Sequence, residues 1–275
     1  MSQTPHTVYL RNGVKMGDCN LVDSLIHDGL TDAFDFIHMG VTAENIAKQY
    51  GITKAEQDIY AVQSQERTAA AILAGYFDKE IVPVTVVNRK ESTLICKDEF
   101  PKPETTVQSL AKLKPIFNKT EGTVTAGNAS GINDGAAAVV LMTKEEASKR
   151  GLNSLAEIVA VAESGVEPNV MGMGPVPAIE LLLQKTKWNR DEVDLYEINE
   201  AFAVQSLACI RKLGLDPNKV NVNGGAIALG HPLGASGTRI LVTLLYSLER
   251  IGGKKGIASL CIGGGMGIAL AIERK

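Results

Sequence analysis

A layered α/β fold is what the amino-acid sequence predicts, and three observations support it. The chain has 275 residues with 45% apolar and 21% charged side chains, values typical of a water-soluble globular protein. A chain of this length buries about three quarters of its unfolded surface, so it can fold without disulfides or metal ions. Beyond residue 123, short apolar runs alternate with amphipathic segments, a pattern typical of helices packed on a sheet.

The charge balance and the apolar pattern exclude several classes of partner. Lysine and arginine number 28 against 31 aspartate and glutamate, and the net charge of −3 favours neither nucleic acid nor an anionic membrane. No apolar run reaches the roughly 18 residues that a membrane-spanning helix needs. The polar start, Met1–His6, lacks the charged and apolar regions of a secretory signal. We therefore expect an intracellular protein.

The sequence pattern of the first 125 residues predicts helices separated by irregular segments. Asp32–Tyr50 has a helical pattern broken by glycine. Thr53 and Glu56 match a capping box, in which two side chains satisfy free N–H groups at a helix start, and the helix that follows should end near Gly75. Ile81–Val87 predicts a strand.

Beyond residue 123 the elements become regular. The predicted strands are Ala136–Met142, Ala156–Ala162, Val193–Ile198, a strand starting at Val220, Gly256–Cys261 and Gly267–Glu273. The predicted helices are Lys144–Arg150, Val176–Thr186, Glu200–Leu213 and Ser236–Arg250. Gly214 and Gly252 should end the last two helices, because glycine accepts the left-handed conformation that closes a helix.

Cysteine and histidine are few and widely spaced. The four cysteines are Cys19, Cys96, Cys209 and Cys261, and the four histidines are His6, His27, His38 and His231. No CxxC pair or short Cys/His spacing occurs, so neither a zinc site nor a disulfide framework is expected. Any chemistry of a thiol or an imidazole must come from this short set.

A glycine-rich stretch, Asn221–Gly237, lies between a predicted strand and an apolar helix and contains His231. Its five glycines indicate tight turns or a ligand close to the main chain, because glycine has no side chain to obstruct either. His231 precedes Pro232 and is therefore biased away from helix. The stretch is either a rigid loop that holds a reactive imidazole or a tight connection with an incidental histidine, and we favour the first.

Two further residues lie at predicted strand ends. Cys261 precedes three glycines, whose free N–H groups can stabilise a thiolate or an oxyanion, although a buried cysteine is more often a small core residue. Asn199, within Glu197–Phe202, lies where a helix begins; asparagine there is most often an N-cap but can also position a water molecule. Taken singly, each residue has both a structural and a functional interpretation.

Together these blocks resemble the thiolase family, especially its cytosolic-type acetyl-CoA acetyltransferases. The matching blocks, in order along the chain, are His38–Asn45, Gly122–Gly131, Asn199–Phe202, Gly224–Gly237 and Cys261–Gly267. The resemblance implies the layered α/β/α thiolase fold and an acyltransferase that condenses two acetyl-CoA molecules, reversibly, into acetoacetyl-CoA and CoA. It implies no cofactor, since coenzyme A is the carrier of the substrate.

The resemblance also implies roles for four residues. His231 would activate a nucleophilic cysteine and, with a water held by Asn199, form the oxyanion hole for the acyl-CoA thioester. Cys261 would exchange the proton on the acetyl α-carbon, and the backbone of Gly263 would complete the oxyanion hole of the acetyl-enzyme. A Claisen condensation needs a base near the α-carbon and stabilised charge on the thioester oxygen, so this division of roles is chemically sensible.

A pocket for CoA and the acyl group is implied as well. Its residues are His38, Met39, Lys102, Ser109, Ala126, Ser130, Met171 and Phe202. Lys102 stands where many relatives have arginine, and lysine keeps the charge but lacks a planar face for stacking on the nucleotide. Phe100 stands where potassium-activated members have tyrosine, so a potassium site of that kind is not expected.

The resemblance leaves the family's N-terminal segment, about 115 residues, without a counterpart in this chain. It divides the chain into a CoA-covering α/β loop domain over 1–130, the tail of a largely missing N-terminal half over 131–153, and a complete C-terminal half over 154–275. The acyl-accepting cysteine of the family lies in the segment without a counterpart. None of the cysteines other than Cys261 falls in a matching motif.

Two expectations follow from this division. The strand Ala136–Met142 would have no neighbouring strand and would expose unpaired backbone groups and an apolar face. We therefore expect the chain alone to be poorly soluble or oligomeric and inactive, with partners in a thiolase-type homo-oligomer or an intact thiolase subunit. The location should be cytoplasmic, with a mitochondrial location still open.

Two other functions stay open from the sequence. A catalytically inactive thiolase-like protein could bind CoA or pair with an active subunit. A Cys/His hydrolase would use Cys261 and His231, although a nucleophilic cysteine usually begins a helix beside its base, whereas Cys261 lies between two predicted strands.

Overall fold

The computed structural model describes residues 1–88 and 91–275. Its α-helices are α1 Met39–Tyr50, α2 Lys54–Leu73, α3 Val107–Ala111, α4 Lys144–Lys149, α5 Pro175–Thr186, α6 Ala203–Leu213, α7 Ala226–Leu229 and α8 Ser236–Ile251. Its strands are β1 His6–Thr7, β2 Val22–Asp23, β3 Val84–Asn88, β4 Glu91–Ile95, β5 Glu157–Gly165, β6 Leu195–Ile198, β7 Lys255–Ile262 and β8 Met266–Glu273. Within the described residues, no helix is long and apolar enough to cross a membrane.

Four strands form the central sheet in the order β5-β8-β7-β6. β6 and β7 are parallel, while β8 is antiparallel to both β7 and β5. A tight turn joins β7 to β8, and in it Gly264 and Gly265 have positive φ angles of 81° and 82°, which residues with a side chain rarely adopt. The glycine run after Cys261 is therefore a hairpin turn. β6 ends close to the end of β7 that leads into this turn, because its last residue, Ile198, pairs with Ser259 of β7.

Helices cover both faces of this sheet. α5 packs on β5 and β8, and α8 packs on β6 and β7. Because side chains alternate along a strand, Tyr196 and Ile257 join one buried cluster with α5 and α6, whereas Leu195 and Ala258 join a second cluster with α8. Two separate cores on opposite faces form an α/β/α sandwich, so the layered fold expected from the sequence is confirmed.

The helices of the N-terminal part pack against this sandwich. Thr53 and Glu56 form the expected capping box: the Thr53 N–H donates to Glu56 Oε2 at 2.7 Å, and the Glu56 N–H donates to Thr53 Oγ1 at 3.3 Å. α2 then runs against α6 and α7, which brings it beside the glycine-rich stretch. β3 and β4 form an exposed antiparallel hairpin, so the strand predicted at Ile81–Val87 begins later, at Val84.

One expected strand is wrong. Ala136–Met142 pairs with no strand among the described residues, and Val140 and Leu141 within it are 85% and 68% exposed. An apolar run forms a buried strand only where neighbours accept its backbone hydrogen bonds, and the described part of the chain places none beside it. The exposed apolar side chains agree with the expectation for a segment without neighbours. The strand expected from Val220 is likewise reduced to isolated bridges.

Candidate active site

Asn199 and Cys261 lie at the same edge of the central sheet. Asn199 directly follows β6, and its N–H donates to the Ser259 carbonyl of β7 at 3.0 Å. Cys261 is two residues further along β7, just before the hairpin turn. In α/β proteins the C-terminal ends of parallel strands are the usual place for ligands, because loops of several elements meet there.

His231 reaches this edge from the glycine-rich stretch. Asn199 Nδ2 lies 3.3 Å from His231 Nε2, and His231 Nδ1 lies 2.6 Å from Ser236 Oγ. The main-chain N–H of His231 donates to the Gly131 carbonyl at 3.1 Å, which attaches this loop to the end of the 122–131 block. The imidazole is therefore held on both of its nitrogens and through its backbone.

These contacts define where the imidazole carries its hydrogen. The Nδ2 group of Asn199 can only donate, so His231 Nε2 accepts and presents a lone pair. His231 Nδ1 then carries the hydrogen and donates to Ser236 Oγ, which donates in turn to the Pro232 carbonyl at 3.1 Å. The ring nitrogen that faces Asn199 is therefore the basic one.

Burial sets the charge states of both reactive groups. It lowers the pKa of His231 to about 4, with a further contribution from the positive charge of Arg239, so the imidazole is neutral at pH 7. Burial raises the pKa of the Cys261 thiol to about 12, so this cysteine carries its proton at rest. The N–H groups of the glycine run therefore do not produce a resting thiolate, because the loss of hydration dominates.

The start of α1 lies against the turn between β7 and β8. A Cβ atom built on Gly263 would lie 2.2 Å from Met39 Cε, so the Met39 side chain packs directly on this backbone. His38, the N-cap of α1, accepts through Nδ1 from the Gly40 N–H at 2.9 Å and stacks on Phe117, with ring centroids 4.7 Å apart. The structure thus brings Met39 to the turn that contains Gly263, whereas His38 contacts Gly40 and Phe117.

Ser130 and Phe202 join the site through a short stretch of paired backbone. Ala129 pairs with Phe202 in an isolated β-bridge, and the Ser130 N–H donates to the Ala201 carbonyl at 3.0 Å. Phe202 is extended, so α6 begins only at Ala203 and therefore starts later than predicted. The blocks around residues 130 and 202 lie side by side, next to the loop that carries His231.

The remaining predicted pocket residues are not joined to His231 or Asn199 by hydrogen bonds among the described residues. Lys102, Ser109 and Ala126 are exposed, and Met171 is buried in the core. The Lys102 ammonium lies 6.0 Å from the centre of the Phe100 ring. The Ser109 hydroxyl donates to a carbonyl at the start of its own helix. The contacts of these four residues with CoA stay predictions.

Three polar residues near the site were missed by the sequence reasoning. Glu197 and Glu200 are buried at the end of β6, and Arg239 lies on α8 beside Glu197. Both glutamates lie in the block Glu197–Phe202 that contains Asn199. A carboxyl group at the end of a buried strand is the sequence feature that could have indicated them. Among the described residues, no group of three or more His, Cys, Asp and Glu side chains is arranged to hold a metal ion.

Replacing Gly263 with alanine should disturb the site and leave the fold largely intact. The new Cβ would meet Met39 Cε, the flexible end of a side chain that can move away. Gly267→Ala is the matched comparison, because its Cβ would lie 2.0 Å from the Gly174 carbonyl oxygen, which belongs to the backbone. We expect the free energy of unfolding in urea to fall by about 1 kcal/mol for Gly263→Ala and by about 3 kcal/mol for Gly267→Ala. Equal losses would contradict this packing.

Comparison with protein families defines the class of protein that carries this site. The family model for the thiolase N-terminal domain matches residues 1–145, and the model for the thiolase C-terminal domain matches residues 152–274. The chain belongs to the thiolase family.

The relatives that match this chain include acetyl-CoA acetyltransferases. The cytosolic acetyl-CoA acetyltransferase of Rattus norvegicus is 58% identical over 275 residues, which cover 100% of this chain and 69% of that protein. The acetyl-CoA acetyltransferase of Paracoccus denitrificans is 54% identical over 274 residues, covering 100% of this chain and 70% of that protein. The similarity therefore extends along the whole of this chain.

Solved structures of thiolases superpose on nearly the whole of this chain. The acetyl-CoA acetyltransferase of Bacillus anthracis superposes with a TM-score of 0.95 at 48% identity, covering 98% of this chain and 68% of that one. Human mitochondrial 3-ketoacyl-CoA thiolase in complex with CoA superposes with a TM-score of 0.91 at 47% identity, covering 100% of this chain and 68% of that one. The thiolase fold expected from the sequence blocks is confirmed.

Proposed function

We propose that this chain carries the CoA-binding part and the C-terminal catalytic half of an acetyl-CoA C-acetyltransferase. The reaction joins two acetyl-CoA molecules into acetoacetyl-CoA and CoA, and it is reversible. The observation that carries the proposal is the contact of the neutral, basic Nε2 of His231 with Asn199, at the sheet edge that also holds Cys261. The activity named for the rat and Paracoccus relatives supports the same reaction.

The proposal assigns a task to each part of the chain. Residues 1–130 form the loop domain that covers CoA, residues 131–153 end the N-terminal half, and residues 154–275 form the C-terminal half. The CoA and acyl groups contact His38, Met39, Lys102, Ser109, Ala126, Ser130, Met171 and Phe202. A human thiolase of the same fold binds CoA, which supports a CoA site in this chain. The cytosolic relative supports a cytoplasmic location.

The first step of the proposed reaction transfers an acetyl group to a cysteine that we place outside these 275 residues. His231 Nε2 accepts the proton of that thiol while its sulfur attacks the thioester carbonyl. The carbon–sulfur bond to CoA then breaks, and the leaving thiolate takes the proton of Cys261. The backbone N–H of Gly263 stabilises the oxygen of the acetyl-enzyme. This step leaves an imidazolium at His231 and a thiolate at Cys261.

The second step forms the carbon–carbon bond. The Cys261 thiolate takes a proton from the α-carbon of a second acetyl-CoA, and the high pKa of this thiol makes its thiolate a strong base. The enolate oxygen is stabilised by the protonated Nε2 of His231 and by a water on Asn199 Oδ1, a buried atom without a hydrogen-bond partner among the described residues. The carbanion attacks the acetyl-enzyme, the carbon–sulfur bond breaks, and the released cysteine recovers its proton from His231.

The test uses a fusion, called the joined protein, in which the N-terminal segment of a relative precedes Met1 of this chain. That segment supplies the family's acyl-accepting cysteine. We expect the joined protein to cleave acetoacetyl-CoA with CoA, measured by the loss of enolate absorbance, and the 275-residue chain alone to be inactive. Cys261→Ala in the joined protein should abolish cleavage. Cleavage by the chain alone would overturn our placement of the acyl-accepting cysteine. A folded, CoA-binding joined protein without activity would overturn the proposed reaction.

A second function, that of a catalytically inactive CoA-binding or subunit-interaction protein, is favoured by one observation. The segment Ala136–Met142 exposes apolar side chains and pairs with no strand among the described residues, which is typical of a surface that pairs with another chain. Its partner would be a second copy in a thiolase-type homo-oligomer or an intact thiolase subunit. This second function requires that the joined protein bind CoA but show no cleavage of acetoacetyl-CoA.

A further inference from the structure

The open edge of the central sheet lies beside the candidate active site. β6 is the last strand of the sheet, and beyond it, among the described residues, Tyr196 pairs with Val220 in an isolated parallel bridge. The N–H of Asn221 donates to the Tyr196 carbonyl at 2.9 Å. Ile198, two residues further along β6, faces the same open side, because successive residues of a strand direct their backbone groups to opposite neighbours. The backbone groups of Ile198 therefore need a partner at this edge.

The side-chain amide of Asn221 is that partner. The Ile198 N–H donates to Asn221 Oδ1 at 2.8 Å, and Asn221 Nδ2 donates to the Ile198 carbonyl at 2.8 Å. Two opposed residues of a β-ladder exchange hydrogen bonds in the same way, and here a side chain takes the place of one backbone. Both residues are 1% exposed, so without the amide an N–H and a carbonyl would be buried without these hydrogen bonds.

The backbone of Asn221 is turned so that its side chain can make these contacts. Its φ angle is 47°, in the left-handed region that few residues other than glycine adopt and in which asparagine is enriched. The side chain thus continues along β6 the pairing that the main chain begins at Tyr196. Its Nδ2 also donates to Glu200 Oε1 at 3.2 Å. Asn221 therefore holds the residues on both sides of Asn199 in the sequence.

These contacts fix the peptide group that carries Asn199. The Ile198 carbonyl and the Asn199 N–H belong to one planar peptide unit. Asn221 holds the carbonyl at 2.8 Å, and the Ser259 carbonyl of β7 holds the N–H at 3.0 Å. Because the planar unit is held at both of its polar groups, the direction in which the Asn199 side chain leaves β6 is set. That side chain reaches His231, with Nδ2 3.3 Å from Nε2.

We propose that Asn221 is a positioning residue that directs the Asn199 amide at His231 Nε2. The catalytic meaning of this role rests on the proposed function, in which Asn199 holds the water that stabilises the enolate oxygen. Asn221 also begins the stretch Asn221–Gly237, so its amide attaches the segment that carries His231 to the end of β6. Asn221 is buried and acts through Asn199.

The test reads the hydrogen bond at His231 Nε2 by solid-state NMR of the whole chain labelled with nitrogen-15 histidine. This method tolerates self-association and needs no enzymatic activity. His231→Gln identifies the signals of His231, and Asn199→Ala gives the position of the Nε2 signal without the amide donor. In Asn221→Gly the Nε2 signal should move from the parental position toward that of Asn199→Ala. Glycine accepts a φ angle of 47°, so this variant removes the amide without straining the backbone.

Asn223→Gly is the matched control, the same substitution at a buried asparagine two residues away. The Asn223 amide donates to Ser247 Oγ at 2.9 Å and accepts from Arg250 Nη2 at 3.0 Å, so it contacts α8 and not β6. In this variant the Nε2 signal of His231 should stay at the parental position. An unchanged signal in folded Asn221→Gly, or an equal movement in Asn223→Gly, would overturn the proposal.

A second variant keeps the test decisive if Asn221→Gly does not fold. Asn221→Asp tolerates the same φ angle and keeps an acceptor for the Ile198 N–H, but it lacks the Nδ2 donor to the Ile198 carbonyl. The Nε2 signal should again move toward the Asn199→Ala position, and a parental signal would overturn the proposal. Failure of both variants to fold would assign Asn221 a structural role and overturn it as well.

Kinetics of the joined protein separate this role from the proposed function. Asn221→Gly should lower kcat for acetoacetyl-CoA cleavage about 10–10²-fold and leave KM for CoA within about twofold, because Asn199 acts at the reacting oxygen and not on the nucleotide. A moved Nε2 signal with a parental kcat would overturn the catalytic part of the proposal. A moved signal in a chain whose joined form is inactive would overturn only the proposed function.

Discussion

Replacement of His231 by alanine should slow acetoacetyl-CoA cleavage by the joined protein about 10²–10⁴-fold, the usual contribution of a general acid or base. The substitution removes the ring nitrogen that Asn199 holds in its proton-accepting form. The acyl-accepting thiol then has to lose its proton to water, and the enolate oxygen loses a charged donor. The rate is measured from the loss of enolate absorbance at saturating CoA.

The pH dependence of the cleavage rate should follow the protonation of His231. Burial lowers the pKa of His231 to about 4, so the imidazole is neutral and able to accept a proton above that pH and protonated below it. Activity that depends on this base should therefore fall only as the pH approaches about 4. An exposed histidine would instead lose its basic form near pH 6.5. A loss of activity centred near that higher value in the parent protein would contradict the charge state argued for His231.

His27 provides the control for this substitution. It is exposed and contacts Asp28 through Nδ1 at 2.7 Å, away from the hydrogen bonds of the site. His27→Ala should keep the rate within about twofold of the parent, as expected for a surface substitution. If His231→Ala cleaved acetoacetyl-CoA at the parental rate, His231 would not be the base of the proposed reaction.

The parts of the fold and site that could be predicted from the sequence depend on local signals. Gly214 and Gly252 close α6 and α8 with φ angles of 61° and 68°, as expected for left-handed helix ends. The capping box at Thr53 begins α2 as predicted, because it involves residues only three apart. His231 and Asn199 were both selected from their own short blocks, and the structure brings them to 3.3 Å.

The parts that could not be predicted depend on neighbours distant in the chain. The apolar run Ala136–Met142 has the composition of a buried strand, but its state depends on strands that the run itself does not specify. The contact of Glu197 with Arg239 joins residues on different elements, and no local pattern connects them. The raised pKa of Cys261 follows from its burial by elements distant in the chain, which the glycine run beside it does not reveal.

Glu200→Ala should be among the most destabilising single substitutions in this chain. The Glu200 side chain is 1% exposed and accepts hydrogen bonds from four groups. The donors are Tyr60 OH at 3.1 Å, Ser64 Oγ at 2.6 Å, Asn221 Nδ2 at 3.2 Å and the Ile227 N–H at 3.2 Å. Alanine would leave these donors buried without this acceptor, at about 1–3 kcal/mol for each one that finds no other. We therefore expect the free energy of unfolding in urea to fall by at least about 3 kcal/mol.

Glu66→Ala is the matched control, because Glu66 is an exposed glutamate on α2. Its loss should change the free energy of unfolding by about 0.5 kcal/mol or less. Glu200→Gln should give an intermediate loss, because an amide keeps one acceptor oxygen but turns N–H groups toward donors. Two of the four donors belong to α2 and two to the stretch Asn221–Gly237, so Glu200 attaches the segment that carries His231 to the N-terminal helices. If Glu200→Ala and Glu66→Ala unfold at the same urea concentration, that attachment does not stabilise the fold.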